Sequence, residues 1–274
     1  MNKKSSVLAA PYALWMLLFT VVPLGMVVYF AFWGENGFTL EYIKSIAETQ
    51  YARPLGVSVW LGLIATVICL LLGFPIAYII SRAKGISQRT MVMLIMLPQW
   101  MNFLLRTYAL MSLLENNGLI NTWLRDVGLE PINIINTRAA VVLGMVYDFL
   151  PFMVLPIYSV LTKIDNRVTE AAQDLGANGF VVFRRIILPL SVPGIISGIT
   201  MVFVPSVSSF IISQLLGGGK EMLIGDVIEM MFVHVEGGRN IGAALSLVLM
   251  ALMLICMTLM NHFDDSEDVG GLMV

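Results

Sequence analysis

Apolar residues fall into six long runs separated by short polar segments. The runs cover roughly 7–32, 57–81, 91–114, 139–162, 186–212 and 241–260, each about as long as a helix needs to cross a bilayer. Hydrocarbon offers backbone N–H and C=O groups no partner but each other, so runs of this length predict helices. The period-2 alternation of a membrane barrel is absent. The pattern predicts an all-α integral membrane protein with six transmembrane helices, forming one transmembrane domain over residues 1–274.

Composition strengthens this reading. The chain is 58% hydrophobic and 12% charged, and a soluble domain carries about twice that charge. A formal net charge of −2 leaves no basic footprint for nucleic acid. Cys69 and Cys256 both lie inside apolar runs and suggest neither a metal site nor a disulfide framework. The first run follows Lys3 and Lys4 but has spanning length and no small-x-small cleavage pattern, so it predicts a retained span.

Charge in the connections sets an orientation. With the N-terminus inside, Lys3, Lys4, Arg82, Lys84, Arg89, Lys163, Arg167, Arg184 and Arg185 face the cytoplasm. Lys44, Arg53, Arg125, Arg138, Lys220 and Arg239 face outward, and Arg106 falls within the third run. The excess predicts cytoplasmic termini in a multi-pass membrane protein in contact with lipid. An acidic segment, Asp264–Asp268, predicts a solvated, unstructured cytoplasmic tail over about 261–274. Pro23, Pro75, Pro98, Pro151, Pro156, Pro193 and Pro205 lie in or near the runs and predict local kinks or openings. Gly194-x3-Gly198 and Gly242-x3-Ser246 are small-residue pairs suited to close helix contact.

The polar segment between the fourth and fifth runs, about 163–185, has its own pattern. Asp165 or Thr169 can cap a short helix, placing Glu170 in its first turn at the positive end of the helix dipole. Ala171 and Ala172 are strong helix formers with small side chains, and Gly176 can adopt the left-handed conformation that ends a helix. With Asp174 between them and Ile186, Leu188 and Pro189 beyond, the spacing is E-A-A-x3-G-x9-I-x-L-P.

This pattern resembles the EAA loop of bacterial binding-protein-dependent ABC importer permeases. Further matching blocks are Asn102–Ala109, Asn117–Asn121, Phe149–Tyr158 and Leu215–Lys220, and the likeness extends over essentially the whole chain. It is closest to permeases of spermidine/putrescine importers. The resemblance implies a type I ABC importer permease fold with a short cytoplasmic coupling helix between helices 4 and 5. Glu170, Ala171, Ala172, Asp174 and Gly176 would meet an ATPase there. It also implies an ATP-binding subunit dimer, a second, paralogous permease, an external solute-binding protein and a polyamine cargo. ATP and Mg would sit on the partner ATPase. No cofactor and no catalytic role is expected of this chain, because Gly217-Gly218-Gly219-Lys220-Glu221 lacks the Ser or Thr and the earlier glycine of a phosphate-binding loop.

Charges within the apolar runs supply an independent lead. Arg106 and Asp148 lie at matching depths, ~12 Å and ~14 Å from the outer ends of their runs at the helical rise per residue. Two readings stand: a neutralising pair that holds two helices in register, or a pathway in which Asp148 meets a polycation and Arg106 positions it. Trp100, Tyr108, Tyr147 and Tyr158 would add cation–π surface to such a pathway, or serve as packing and interface anchors. Glu115, Asp226, Glu229 and Glu236 read as ordinary loop charges, some available to an external protein. Rival readings are an importer permease for another solute, such as an inorganic anion, ferric ion or other organic cation, and a stand-alone secondary transporter. His234 and His262 are too far apart to suggest an enzyme.

Overall fold

The computed structural model describes residues 11–34, 37–220 and 222–270, the last ten as backbone. It is almost entirely helical. Among the described residues, four helices are long and apolar enough to cross a membrane: α1 (Pro11–Phe32), α3 (Thr49–Arg82), α7 (Arg138–Leu161) and α13 (Arg239–Met260). A bent pair, α9 (Gly179–Leu190) and α10 (Val192–Ser208), with 62° between its halves, is long and apolar enough only when its two parts are taken together. The short helices between them are α2 (Glu41–Ser45), α4 (Gly85–Met96), α5 (Phe103–Leu114), α6 (Leu119–Asp126), α8 (Asn166–Asp174), α11 (Ile211–Gly217) and α12 (Ile224–Val233).

The third apolar run is not one continuous helix. It divides into α4 and α5, 12 residues each, joined by a 3-10 turn at Leu97–Trp100. Twelve residues rise about 18 Å, short of the ~30 Å hydrocarbon core, so neither piece alone is a span. The division follows from sequence: Pro98 lacks an N–H, and the Asn102 side chain restarts the helix by accepting from the N–H groups of Leu104 and Leu105. The fifth run bends where Pro189 and Pro193 flank Ser191, whose hydroxyl donates to the Leu188 carbonyl at 2.8 Å. The last helix departs from expectation in the other direction. Its backbone stays helical to Gly270, so Asp264–Asp268 continue a helix instead of the unstructured tail; residues 271–274 lie outside the described residues.

α3, α7 and α10 form the centre. Small residues let them approach: a side chain at Gly198 would meet Met153 Sδ at 2.8 Å, and one at Gly194 would meet the Pro156 carbonyl at 3.0 Å. The first expected small-residue pair therefore packs α10 on α7. Around them Leu61, Ala65, Met145, Met153, Ile157 and Val202 form a buried core. A second cluster, including Ala31, Phe203, Val227, Ala244 and Leu245, joins α13 and α12 to α10 and the end of α1. A two-residue hairpin, Trp33–Gly34 with Gly37–Phe38, follows α1, and the Asn240 amide donates to the Trp33 carbonyl at 2.9 Å.

The connections separate into two ends. The turn after α3 (Arg82, Lys84, Gly85) shares a cavity with Tyr158 and Thr162 at the end of α7, near α8. At the opposite end, Thr49, Gln50 and Arg53 share a cavity with Gly219 and Lys220.

Candidate functional site

The α8 end carries the helix that the polar spacing singled out. Of the two candidate caps, Asp165 does the work: its Oδ1 accepts from the Arg167 N–H at 2.9 Å. With Asp165 as the cap, Glu170 lies in the second turn instead of the first, and no acidic residue occupies the first. Its dipole contact is correspondingly weaker, because that effect fades beyond one turn. The C-terminal end matches expectation. Gly176 has φ +86°, and its N–H donates to the Gln173 carbonyl at 2.8 Å while the Ala177 N–H donates to the Ala172 carbonyl at 3.0 Å. These two bonds make a Schellman closure.

The helix faces two ways. Thr169 is buried and Ala172 packs on the α3–α7 core. Val168, Ala171 and Leu175 form an outward apolar stripe at helical spacing, with Leu175 90% exposed and Phe180 nearby also exposed. Glu170 and Asp174 flank the stripe, also exposed. An apolar stripe with an acidic border on a firmly capped helix suits docking to another protein.

The second constellation lies at the broken run. Arg106 on α5 and Asp148 on α7 are 3% and 0% exposed, and Arg106 Nε stands 2.6 Å from Asp148 Oδ1. Neither atom has an aligned hydrogen-bond partner, so the approach is a charge contact. Aligned bonds come from elsewhere. Arg106 Nη1 donates to the Pro98 carbonyl at 3.0 Å, Thr107 Oγ1 donates to Asp148 Oδ2 at 3.1 Å, and the Gln99 amide donates to the Asp148 carbonyl at 3.0 Å. Arg106 also stands over the rings of Phe103 (5.8 Å) and Tyr147 (5.9 Å). One guanidinium thus ties the first half of the 3-10 turn, the start of α5 and the middle of α7.

Of the other residues expected near this pair, Tyr147 joins it through the ring contact. Trp100 is exposed at the break, and Tyr108 points to the surface two residues beyond Arg106. Tyr158 is not brought to the group: it lies at the α8 end of α7, ten residues and about 15 Å from Asp148 at the helical rise. Gln99 and Thr107 were missed, although their positions beside Pro98 and Arg106 made them candidates.

The opposite end holds a further departure. Asp226, expected as a loop charge, is only 6% exposed. Its Oδ2 accepts from the Ser213 hydroxyl at 2.6 Å and from the Leu223 N–H at 2.7 Å. Next to it the Ile224 N–H donates to Ser58 Oγ at 2.7 Å, pinning α12 to α3. Burial pushes the Asp226 carboxyl above the usual carboxylate range, and the Ser213 and Leu223 bonds partly offset that shift.

Comparison with known proteins agrees with the geometry. Residues 70–267 match the family described as binding-protein-dependent transport system inner membrane component. The chain is 39% identical over 265 residues to the spermidine/putrescine transport system permease protein PotB of Haemophilus influenzae, covering 92% of each chain. It is 38% identical over 253 residues to PotB of Escherichia coli, covering 88% of this chain and 92% of the relative. A bacterial ABC transporter involved in the import of the acidic polysaccharide alginate has a chain of the same fold, with TM-score 0.79 and 17% identity over 96% of both chains.

Proposed function

The chain belongs to the binding-protein-dependent transport system inner membrane component family, and from that membership we propose that it is the permease subunit of an ATP-driven polyamine importer. In this reading it is an all-α, multi-pass membrane protein of the type I importer fold that lines a translocation path together with a second, paralogous permease. It lies in the bacterial cytoplasmic membrane with both termini and α8 inside. A separate ATP-binding dimer holds ATP and Mg and docks on α8, and an external solute-binding protein delivers cargo at the opposite end. The observation that carries the coupling role is α8 itself: capped at both ends, anchored through Thr169 and Ala172, and exposing Val168, Ala171 and Leu175.

The cargo rests on the near-full-length similarity to two spermidine/putrescine permeases. The fold alone does not select a cargo, since it is shared with an importer of an acidic polysaccharide. The buried Arg106–Asp148 pair reads as a brace between α5 and α7, with Trp100, Tyr108 and Tyr147 left to face the path or the second permease. The test is reconstitution with co-purified partners and a panel of labelled solutes. ATP-dependent uptake of spermidine or putrescine is expected; uptake of an anion or ferric ion in their place would overturn the cargo assignment.

A further inference from the structure

α3 and α7 leave a groove between them on the surface of the bundle, in the half away from α8. Its volume is about 550 Å³, and Ile64, Ile68, Leu72, Val142 and Val146 supply its walls. The two helices run parallel. Cys69 Sγ lies 3.9 Å from the Val146 carbonyl, so Trp60, nine residues before Cys69, stands level with Arg138, eight before Val146. These two residues form the mouth, Trp60 60% exposed and Arg138 also exposed. From Trp60 to Leu72 the groove descends twelve residues, ~18 Å at the helical rise. Half of a ~30 Å hydrocarbon core is about 15 Å, so the groove runs from headgroup level to the middle of the bilayer. Among the described residues that line it, none is a carboxylate, and the polar side-chain groups are the Arg138 guanidinium and the Trp60 indole N–H. Such side chains donate and do not accept, which gives an ammonium nothing to bind.

We propose that this groove is a binding site for an anionic phospholipid, with one acyl chain against Ile64, Ile68, Leu72 and Val146 and the phosphate held at the mouth by Arg138 and Trp60. A cation above an apolar slot of one leaflet's depth is the complement of a negative headgroup above a chain. A guanidinium carries five N–H donors, enough to meet two phosphate oxygens while it keeps another contact. Tryptophan at headgroup level suits the same ligand, its ring apolar and its N–H directed to the interface. With no carboxylate in the groove to receive an ammonium, a headgroup of net negative charge fits the mouth better than a zwitterionic one. A helix of another subunit would match Arg138 only by carrying a carboxylate at that one depth. The site goes beyond the polyamine reading and does not depend on it, since it needs only that α3 and α7 cross the membrane.

The test is photo-crosslinking in the transporter reconstituted with its co-purified partners, in nanodiscs of phosphatidylethanolamine with a minority of phosphatidylglycerol. p-Benzoylphenylalanine replaces Leu143 or, separately, Leu72, both groove residues that are exposed enough to accept it. A third probe at Ile79, 61% exposed on α3 and outside the groove, reports the bulk lipid. Intact-mass analysis after irradiation identifies each adduct. Phosphatidylglycerol adducts at Leu143 and Leu72 are expected to exceed its share of the bilayer about fivefold, the scale of one cation–headgroup contact, and adducts at Ile79 to match that share. Arg138→Gln is expected to remove the enrichment and leave the adducts; Arg138→Lys, which keeps the charge, is expected to keep it. Adducts in bulk proportion at both groove positions, equal enrichment at Ile79, or enrichment that survives Arg138→Gln would each overturn the site. Cross-links to the second permease in place of lipid would make the groove a subunit interface and overturn it equally.

Discussion

Arg106 and Asp148, 42 residues apart in sequence, meet at 2.6 Å and join a broken helical run to an unbroken one. Because Arg106 also holds the Pro98 carbonyl, the contact fixes three points at once: the first half of the 3-10 turn, the start of α5 and the middle of α7. A positive charge at the C-terminal end of the α4 segment also meets the negative end of its dipole.

As a brace, the pair should fail when halved. Arg106→Gln or Asp148→Asn alone leaves one charge buried without its partner, at a cost on the order of 3–5 kcal/mol. The double variant removes both charges and is expected to recover most of the folded yield and polyamine uptake at matched expression. If uptake by the double variant stays as poor as that of the singles while the yield recovers, with longer polyamines affected more, Asp148 touches cargo.

The close approach of α10 to α7 gives a packing prediction. A side chain at Gly198 would stand 2.8 Å from Met153 Sδ and 3.2 Å from the Met153 carbonyl. Gly198→Val is expected to cost ~1–3 kcal/mol through overpacking, read as a lower melting temperature in detergent. Gly198→Val with Met153→Ala should recover part of the loss. An unchanged melting temperature in Gly198→Val would show that α10 and α7 sit further apart.

Topology can be checked without reference to transport. In intact cells of a Cys69→Ala, Cys256→Ala background, single cysteines at Lys44 and Lys220 should react with an impermeant maleimide, and one at Asn178 only after permeabilisation. Labelling of Asn178 from outside would invert the orientation and place α8 beyond reach of a cytoplasmic ATPase.

Local features were legible in the sequence where the whole instruction lies within a dozen residues. The cap at Asp165, the alanines and the left-handed Gly176 needed nothing distant, so α8 appears where its spacing placed it. The third run was legible only in part. Pro98 marked a kink, but the division into two helices also needs the Asn102 cap and a carbonyl contact from Arg106, which depends on α7 lying alongside. Asp226 shows the limit more sharply. Its burial follows from the seating of α12, whose Ile224 N–H reaches Ser58, 166 residues away, and no short window of sequence contains that information. The full length of α3 was underestimated for a simpler reason: Thr49, Gln50 and Arg53 lower the hydropathy of its first turns without breaking the helix.

The central claim, that α8 transmits ATP hydrolysis to the pathway, turns on Gly176. A side chain there meets nothing within 4 Å, so Gly176→Val disturbs the protein only through its φ of +86°, a conformation a branched residue resists. The variant should fold, insert and assemble its membrane-facing parts normally. The decisive measurement is ATP hydrolysis by the reconstituted transporter, with and without polyamine-loaded binding protein. Wild type should be stimulated, and Gly176→Val should lose that stimulation or release the ATPase, with Glu170→Lys showing a similar defect. Stimulation of both variants equal to wild type would contradict the account.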